Sequence, residues 1–123
     1  MKLFIIVSAL VAFAVADKVV YYTTANDLLD IDALMKNPDL VKKYMDCFLD
    51  RAPCDPLGES YKKITPEAVS TACRRCNKAQ KHVCNRFLWF LKNKYPSYYE
   101  EFQNKYDPNN IYIVKLENAI AKY

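Results

Sequence analysis

The sequence predicts an all-α fold, a small bundle of six short helices. Apolar residues recur every three or four positions along most of the chain, the spacing of one helix face. Candidate helix starts contain proline at or near the first helical position. A single glycine in 123 residues leaves too few special turn positions for an all-β architecture.

The amino-terminal segment has the pattern of a secretory signal peptide. One lysine precedes an apolar run over residues 3–15, which ends in the cleavage-type pattern Ala-Val-Ala. This run is too short for an ordinary transmembrane helix, and no later stretch approaches the ~20 apolar residues that a span needs. We therefore expect residues 1–16 to be removed and residues 17–123 to form one secreted domain that does not span a membrane.

The five cysteines, which all follow the leader, predict two local disulfides. Neighbouring thiols tend to pair in an oxidising compartment. Spacing favours Cys47 with Cys54 and Cys73 with Cys76, since each pair can close without any particular fold. Such short loops are each worth roughly 2 kcal/mol in chain entropy, so the fold must depend mainly on its apolar core. Cys84 is left over, and we expect it to be a buried, inert thiol rather than a dimer bridge.

Two other interpretations of the segment from Cys73 to Cys84 are possible. Zinc could use Cys73, Cys76, His82 and Cys84, but zinc sites with Cys-x-x-Cys usually place the second ligand pair a dozen or more residues away. A thioredoxin-like redox site needs a βαβ pattern, which this sequence lacks. We expect neither a metal nor any other cofactor.

The first helices can be placed from start signals and periodicity. A weak pattern predicts a helix near residues 30–35, and Asn37-Pro38 starts an amphipathic helix that runs to about Leu49. The next segment, with two prolines and Gly58, predicts a tight connection. Thr65-Pro66 then starts or kinks a helix that runs to about Ala72.

The longest candidate helix runs from Asn77 to Tyr95. One broad apolar arc of this helix contains Val83, Cys84, Phe87, Leu88, Phe90 and Leu91. Proline after Tyr95 ends it, a short aromatic helix follows, and residues 107–110 form a turn. The last helix starts near Ile113, although its β-branched beginning could also form a strand.

Several motifs together resemble the insect chemosensory proteins, also called the olfactory-segment-D or ejaculatory-bulb-specific protein III family. They lie in a secretory precursor and extend through nearly all of the mature chain. The motifs are Tyr44-x-x-Cys47-x6-Cys54-x18-Cys73-x-x-Cys76, Gln80-Lys81, Phe90-Leu91 and Lys105-Tyr106-Asp107-Pro108. The resemblance implies a prism of six helices around an internal apolar tunnel. It also implies reversible binding of long-chain ligands such as pheromones and fatty-acid, alcohol or ester derivatives, with Cys73 and Cys76 as a staple at a helix junction.

The chain departs from the family pattern at three places. Cys84 occupies a position that usually lacks cysteine, Trp89 replaces a commonly polar residue, and the stretch before Asp27 lacks an aromatic residue that relatives often have. Ligand preference therefore cannot be transferred from the relatives.

Candidate ligand-binding residues lie on two of the predicted helices. Tyr44 matches a family tyrosine at the tunnel, although a half-buried tyrosine that satisfies its hydroxyl locally would show the same pattern. The other candidates, which could line a tunnel or fill a core, are Val41, Met45, Phe48, Phe87, Leu88 and Leu91. The shared interior of these helices shows no obvious buried charge.

The surface predictions argue against nucleic-acid binding and against catalysis. His82 falls on the polar side of its helix with no acidic residue three or four positions away, which argues against a lipid hydrolase. Trp89 falls opposite the apolar arc and should be exposed. Without the leader the formal net charge falls from +4 to +3, and the basic cluster lacks interleaved aromatics, so we expect a solvated face. The members of this cluster are Lys62, Lys63, Arg74, Arg75, Lys78 and Lys81.

The function predicted from these observations is that of a secreted, monomeric carrier of small hydrophobic ligands, not an enzyme. The alternative is a secreted interaction or structural protein that has no physiological small-molecule ligand.

Overall fold

The computed structural model describes residues 18–123, and the expected leader lies outside these residues. In the described part of the chain the regular elements are helices, with no strand. They are α1 (Ile31–Met35), α2 (Pro38–Phe48), α3 (Pro56–Lys62), α4 (Thr65–Ser70), α5 (Lys78–Lys94), α6 (Pro96–Tyr106) and α7 (Ile113–Ile120). None of these helices combines the length and the apolar character needed to cross a bilayer. The all-α fold class is confirmed.

Helices α3 and α4 form one kinked helix, so that the bundle has the six helices expected. The hydroxyl of Thr65 donates to the carbonyl of Tyr61 at 2.7 Å across the kink. Pro66 has no N–H to continue the helical ladder, which explains the break. The tight connection predicted around Gly58 was wrong in one respect, because residues 56–58 already belong to α3. A start signal, Asp55 followed by proline, was obscured there by the nearby proline and glycine.

Polar side chains before several helices fix where those helices begin. Asn37 accepts hydrogen bonds from the N–H groups of Asp39 and Leu40 at the start of α2. Asn77 and Gln80 form a reciprocal capping box at the start of α5. These caps satisfy N–H groups that would otherwise lack partners in the first helical turn.

The long helix α5 organises the packing of the bundle. It contacts α1, α6 and α7, while α2 packs against α1 and α3, and α4 packs against α6 and α7. Large side chains with almost no exposed surface fill the centre; they include Met35, Val41, Met45, Leu91, Leu116 and Ile120. Most of the stability of such short helices comes from burying these apolar faces.

Both disulfides join the cysteines that the spacing favoured. Cys47–Cys54 connects the end of α2 to the residue before the cap of α3. Cys73–Cys76 closes the junction between α4 and α5, where Ala72 and Cys73 have φ of 55° and 60°. Left-handed backbone costs an L-residue roughly 1 kcal/mol or more. The second disulfide therefore fastens a turn that the chain would not adopt readily.

A buried carboxylate organises the start of α7, where the sequence had suggested only a turn. The turn is present, since the N–H of Asn110 donates to the carbonyl of Asp107 at 2.9 Å. The Asp107 side chain accepts N–H bonds from Ile111, Tyr112 and Ile113 at 2.9 to 3.0 Å. Burial raises the pKa of Asp107, but these three donors outweigh burial and hold its pKa below the usual value. Asp107 is thus a buried charge, but it lies in the turn before α7 and does not line the cavity described below.

Replacing Asp107 should lower the thermal stability of the protein. Asp107→Ala leaves three N–H groups at the start of α7 without their acceptor, and a buried unpaired donor is costly. We expect the midpoint of thermal unfolding, followed by circular dichroism, to fall by several degrees. Asn109→Ala, at an exposed position of the same turn, is the control and should leave the midpoint nearly unchanged. Equal midpoints for both variants would contradict the capping role of Asp107.

Candidate functional site

All seven described helices contribute side chains to one internal cavity. The cavity has a volume of about 100 Å³, and its lining is almost entirely apolar. This volume is below the roughly 300 to 1,000 Å³ of typical ligand pockets. A cavity this apolar tends to stay dry, so an apolar guest would not have to displace bound water.

Five of the seven residues proposed from the sequence as ligand contacts line this cavity. They are Val41, Tyr44, Met45 and Phe48 of α2, and Phe87 of α5. The one-sided apolar stripe of α2 brings its four residues to the same wall, as the helical period requires.

Leu88 and Leu91 are buried but do not line the cavity. Leu88 instead borders a shallow surface groove beside α7, next to Ile120. A helical wheel records angle and omits position along the axis. The cavity faces α5 as far as Phe87. Leu91 lies at a similar angle one turn further along and falls beyond the end of the cavity, whereas Leu88 follows Phe87 directly but lies about 100° around the helix from it.

The remaining wall comes largely from segments that carried no clear sequence signal. The kinked pair α3–α4 supplies the largest missed group, consisting of Leu57, Gly58, Tyr61, Thr65, Ala68 and Val69, with Ile64 at the kink. Helix α5 adds Gln80, Val83 and Cys84, and Leu29 reaches the cavity from before α1. The start signal at Asp55 could have revealed α3, but its inward face depends on how it docks against α2.

Tyr44 lies in the cavity wall and satisfies its hydroxyl within the protein. Its ring lines the cavity, while its hydroxyl donates to Asp55 at 2.7 Å. Asp55 also accepts from the N–H of Gly58 and from Lys43, each at 2.8 Å. These donors, the Gly58 N–H first, lower the pKa of Asp55 to about 2. Burial, and then the bond to Asp55, raise the pKa of Tyr44, so the hydroxyl stays protonated.

Gly58 allows α3 to approach α2 closely at this junction. A Cβ at this position would lie 3.1 Å from the Cys47 Sγ and 3.1 to 3.2 Å from the Tyr44 ring. Neither neighbour can yield easily, because Cys47 is bonded to Cys54 and the Tyr44 hydroxyl is held by Asp55. The glycine is therefore needed for space within a helix, not for a turn.

Three phenylalanine rings form one end of the cavity wall. Phe87 meets Phe48 at 5.8 Å between ring centroids and Phe102 at 5.6 Å, both edge to face. This arrangement is a favourable one for aromatic pairs. It links α2, α5 and α6 across the interior.

Gln80 closes another side of the wall by holding the extended segment before α1. Its side-chain amide donates to the carbonyl of Tyr22 at 3.0 Å and to the Thr24 hydroxyl at 3.2 Å. It also donates to Asp27, which in turn accepts from Asn77. This partly buried polar network secures residues 22–27 against the bundle, a contact that periodicity could not reveal.

Cys84 takes part in neither disulfide, is partly buried against the core and faces the cavity. Burial, with a smaller contribution from Glu117, raises the pKa of its thiol to about 12. The thiolate is the reactive form, so the position suits an inert apolar wall group. Because Cys73 and Cys76 are joined to each other, their thiolates are not available for the zinc site considered above.

His82 and Trp89 are both exposed, as their positions on the helix indicated. The His82 Nδ1 lies 2.6 Å from the main-chain oxygen of Tyr123. Trp89 is 41% exposed, and the Arg86 guanidinium lies 4.7 Å from its ring centroid. In the basic cluster, Lys62 pairs with Asp50 and Arg75 with Glu67.

The fold and the cavity define a disulfide-bonded helical bundle with an apolar cavity between its helices. A family model described as "Insect pheromone-binding family, A10/OS-D" matches residues 22–114. The chain belongs to this family, and the resemblance to the chemosensory proteins is confirmed.

Two curated relatives are similar over most of the chain. The chain is 34% identical over 113 residues to ejaculatory bulb-specific protein 3 of Drosophila melanogaster, covering 92% of this chain and 87% of the relative. It is 33% identical over 99 residues to allergen Tha p 1 of Thaumetopoea pityocampa, covering 80% and 79%.

Solved structures of chemosensory proteins share the fold. A chemosensory protein in complex with bromo-dodecanol has a TM-score of 0.73 at 27% identity, covering 79% of this chain and 97% of that chain. The solution structure of CSPsg4 has a TM-score of 0.62 at 33% identity, covering 82% and 94%.

A methyl group at Gly58 should destabilise the junction between α2 and α3. Gly58→Ala gains up to about 1 kcal/mol of helix propensity, but the new Cβ crowds two neighbours that are held in place. We expect a lower midpoint of thermal unfolding and altered near-ultraviolet circular dichroism from a displaced Tyr44. Glu59→Ala, at an exposed position of the same helix, should show neither change. A Gly58→Ala protein more stable than the wild type would show that the junction can relax.

Acid should destabilise the protein partly through Asp55. Because the pKa of Asp55 is about 2 when folded and about 3.9 when unfolded, the unfolded state takes up the proton first. Stability that is present above about pH 4 is therefore lost as the pH falls towards about 2. Asp55→Asn should lower the unfolding midpoint at neutral pH and reduce its further loss in acid. Asp39→Asn, at an exposed position in the first turn of α2, is the matched control. An unchanged acid profile for Asp55→Asn would contradict this assignment.

Proposed function

We propose that this protein is a secreted carrier that takes up small, long-chain hydrophobic molecules reversibly in its internal cavity. The observation that carries the proposal is the cavity itself, an apolar space lined from every described helix and containing no charged residue in its wall. Transfer of a hydrocarbon chain from water into such a space is favourable by about 0.8 kcal/mol per CH₂. Secretion is inferred from the signal-peptide pattern in residues 1–16.

The ligand contacts proposed are Val41, Tyr44, Met45, Phe48 and Phe87, together with Val83 of α5. They meet around the same space and offer carbon surface to a guest. The similar chemosensory protein described with bromo-dodecanol supports a ligand of the fatty-alcohol type.

A long chain needs more room than the cavity offers at rest. Met35 and Met45 lie in the wall, and unbranched methionine side chains repack readily around a guest. We therefore expect these side chains to move when a ligand enters. Part of the transfer free energy is then used in rearranging the wall, so affinity should rise less steeply than area alone predicts.

Chemical change of the ligand is not part of the proposal. The polar groups of the wall are hydroxyls, one amide and a thiol whose pKa lies far above neutral, and His82 is exposed away from the cavity. These groups supply no base next to a nucleophile, an arrangement that hydrolysis would require. The groups in the wall therefore support binding and release of the ligand rather than its hydrolysis.

Affinity should increase with the chain length of the ligand until the cavity is filled. Displacement of a fluorescent fatty-chain probe by a homologous series of alcohols should show tightening of up to about fourfold per added CH₂. Since the wall carries no group that titrates near neutrality, alcohol affinity should change little between about pH 5 and about pH 8.

Filling the cavity should abolish this binding. Val83→Phe places a ring in the free space and should weaken alcohol binding about tenfold or more, a loss of about 1.4 kcal/mol. Leu88→Met, a volume-conserving change at a buried position outside the cavity, is the control and should bind as the wild type does. Circular dichroism checks that both variants are folded. Flat, weak affinity across the whole series would instead favour an interaction or structural protein without a ligand.

A further inference from the structure

We infer that the cavity selects uncharged long-chain molecules, such as alcohols and esters, over the corresponding ionised carboxylates. This inference rests on the proposed carrier function and narrows the class of ligand. It follows from the direction in which the polar groups of the wall point.

The hydroxyl and amide donors of the wall side chains are already engaged. The hydroxyl of Tyr44 donates to Asp55, that of Tyr61 to the carbonyl of Asn26, and that of Thr65 to the carbonyl of Tyr61, each at 2.7 Å. The Gln80 amide donates to the extended segment before α1. Within residues 18–123, no buried side-chain nitrogen or oxygen lacks a partner.

The three hydroxyls therefore retain lone pairs that can accept, while their protons are in use. A ligand alcohol can donate to such an oxygen, and an ester loses little by remaining unpaired. A carboxylate has only acceptors and would find no free O–H or N–H donor in these side chains, only the weak S–H donor of Cys84. Burying an ionised group without partners is among the most costly changes in a protein interior.

Carboxylates of the protein also stand behind the polar parts of the wall. Asp55 backs Tyr44, and Asp27 lies 3.3 Å from the Gln80 amide. The negative charge of Glu117 adds to the effect of burial in raising the pKa of the Cys84 thiol. Their neighbouring cations, Lys43 on Asp55 and Lys92 on Glu117, have side chains that are more than half exposed. A ligand anion would thus find carboxylates bonded to two of the polar wall groups, Tyr44 and Gln80, and no cation in the wall.

The pKa values of the titratable groups in the wall are raised, as expected for an apolar environment. Burial is the largest cause that raises the pKa of Cys84, Tyr44 and Tyr61, and each is held in its neutral form. The same desolvation should raise the pKa of a carboxyl group that enters the cavity. A fatty acid should then bind mainly as the neutral acid, at the cost of taking up a proton from water.

The test compares three ligands with one chain length: dodecanol, methyl dodecanoate and dodecanoic acid. Each displaces a neutral fluorescent fatty-chain probe at about pH 8 and at about pH 5, and displacement is counted only where Val83→Phe abolishes it. We expect the acid to bind at least about tenfold more weakly than the alcohol at the higher pH. As the pH falls and the neutral acid forms, the affinity for dodecanoic acid should rise by up to about tenfold per pH unit. The affinities for the alcohol and the ester should change little.

The possible outcomes separate this inference from the carrier function. An acid that binds as tightly as the alcohol at about pH 8, without dependence on pH, would overturn the inference and leave the carrier function intact. Failure of all three ligands to displace the probe would overturn the carrier function and, with it, the inference.

Discussion

The junction between α2 and α3 is the contact on which much of this structure depends. One carboxylate, Asp55, caps α3 and binds both the Tyr44 hydroxyl and the Lys43 ammonium group. The absence of a side chain at Gly58 lets the two helices meet, and the Cys47–Cys54 disulfide joins the chain on either side of the contact. Because α3 and α4 continue from this point along the cavity, the position of that whole wall follows from the junction.

The treatment of polar groups explains how so small a domain can keep an apolar interior. A chain of this size has little surplus stability, and an unpaired buried polar group would consume much of it. Here the tyrosine and threonine hydroxyls of the wall turn towards carboxylates or carbonyls behind it, and Asp107 is matched by three N–H groups. The cavity is thus apolar because its polar components bind to the protein itself, and the selectivity inferred above rests on this arrangement.

Predictability from sequence differed sharply between α2 and α3. In α2 the apolar stripe is strong and one-sided, so Val41, Tyr44, Met45 and Phe48 could be placed on one inward face from the sequence, and the structure shows that this face lines the cavity. In α3 the prolines and Gly58 dominated the pattern and indicated a connection, although the same residues start and pack a helix. Glycine usually weakens a helix, but Gly58 here allows α3 to pack closely against α2. This role becomes visible only once the neighbouring helix is in place.

The sequence by itself determined the fold class, the disulfide pairing, the family and the faces of the strongly amphipathic helices, because these features depend on local spacing and composition. Only the tertiary structure decided where the cavity ends along α5, separating Phe87 from Leu88 and Leu91. It also decided which partner each polar wall group binds, as with Gln80 and the segment near Tyr22, 58 positions earlier. Periodicity reports angle around one helix, whereas these features depend on axial position and on contacts between residues far apart in the chain.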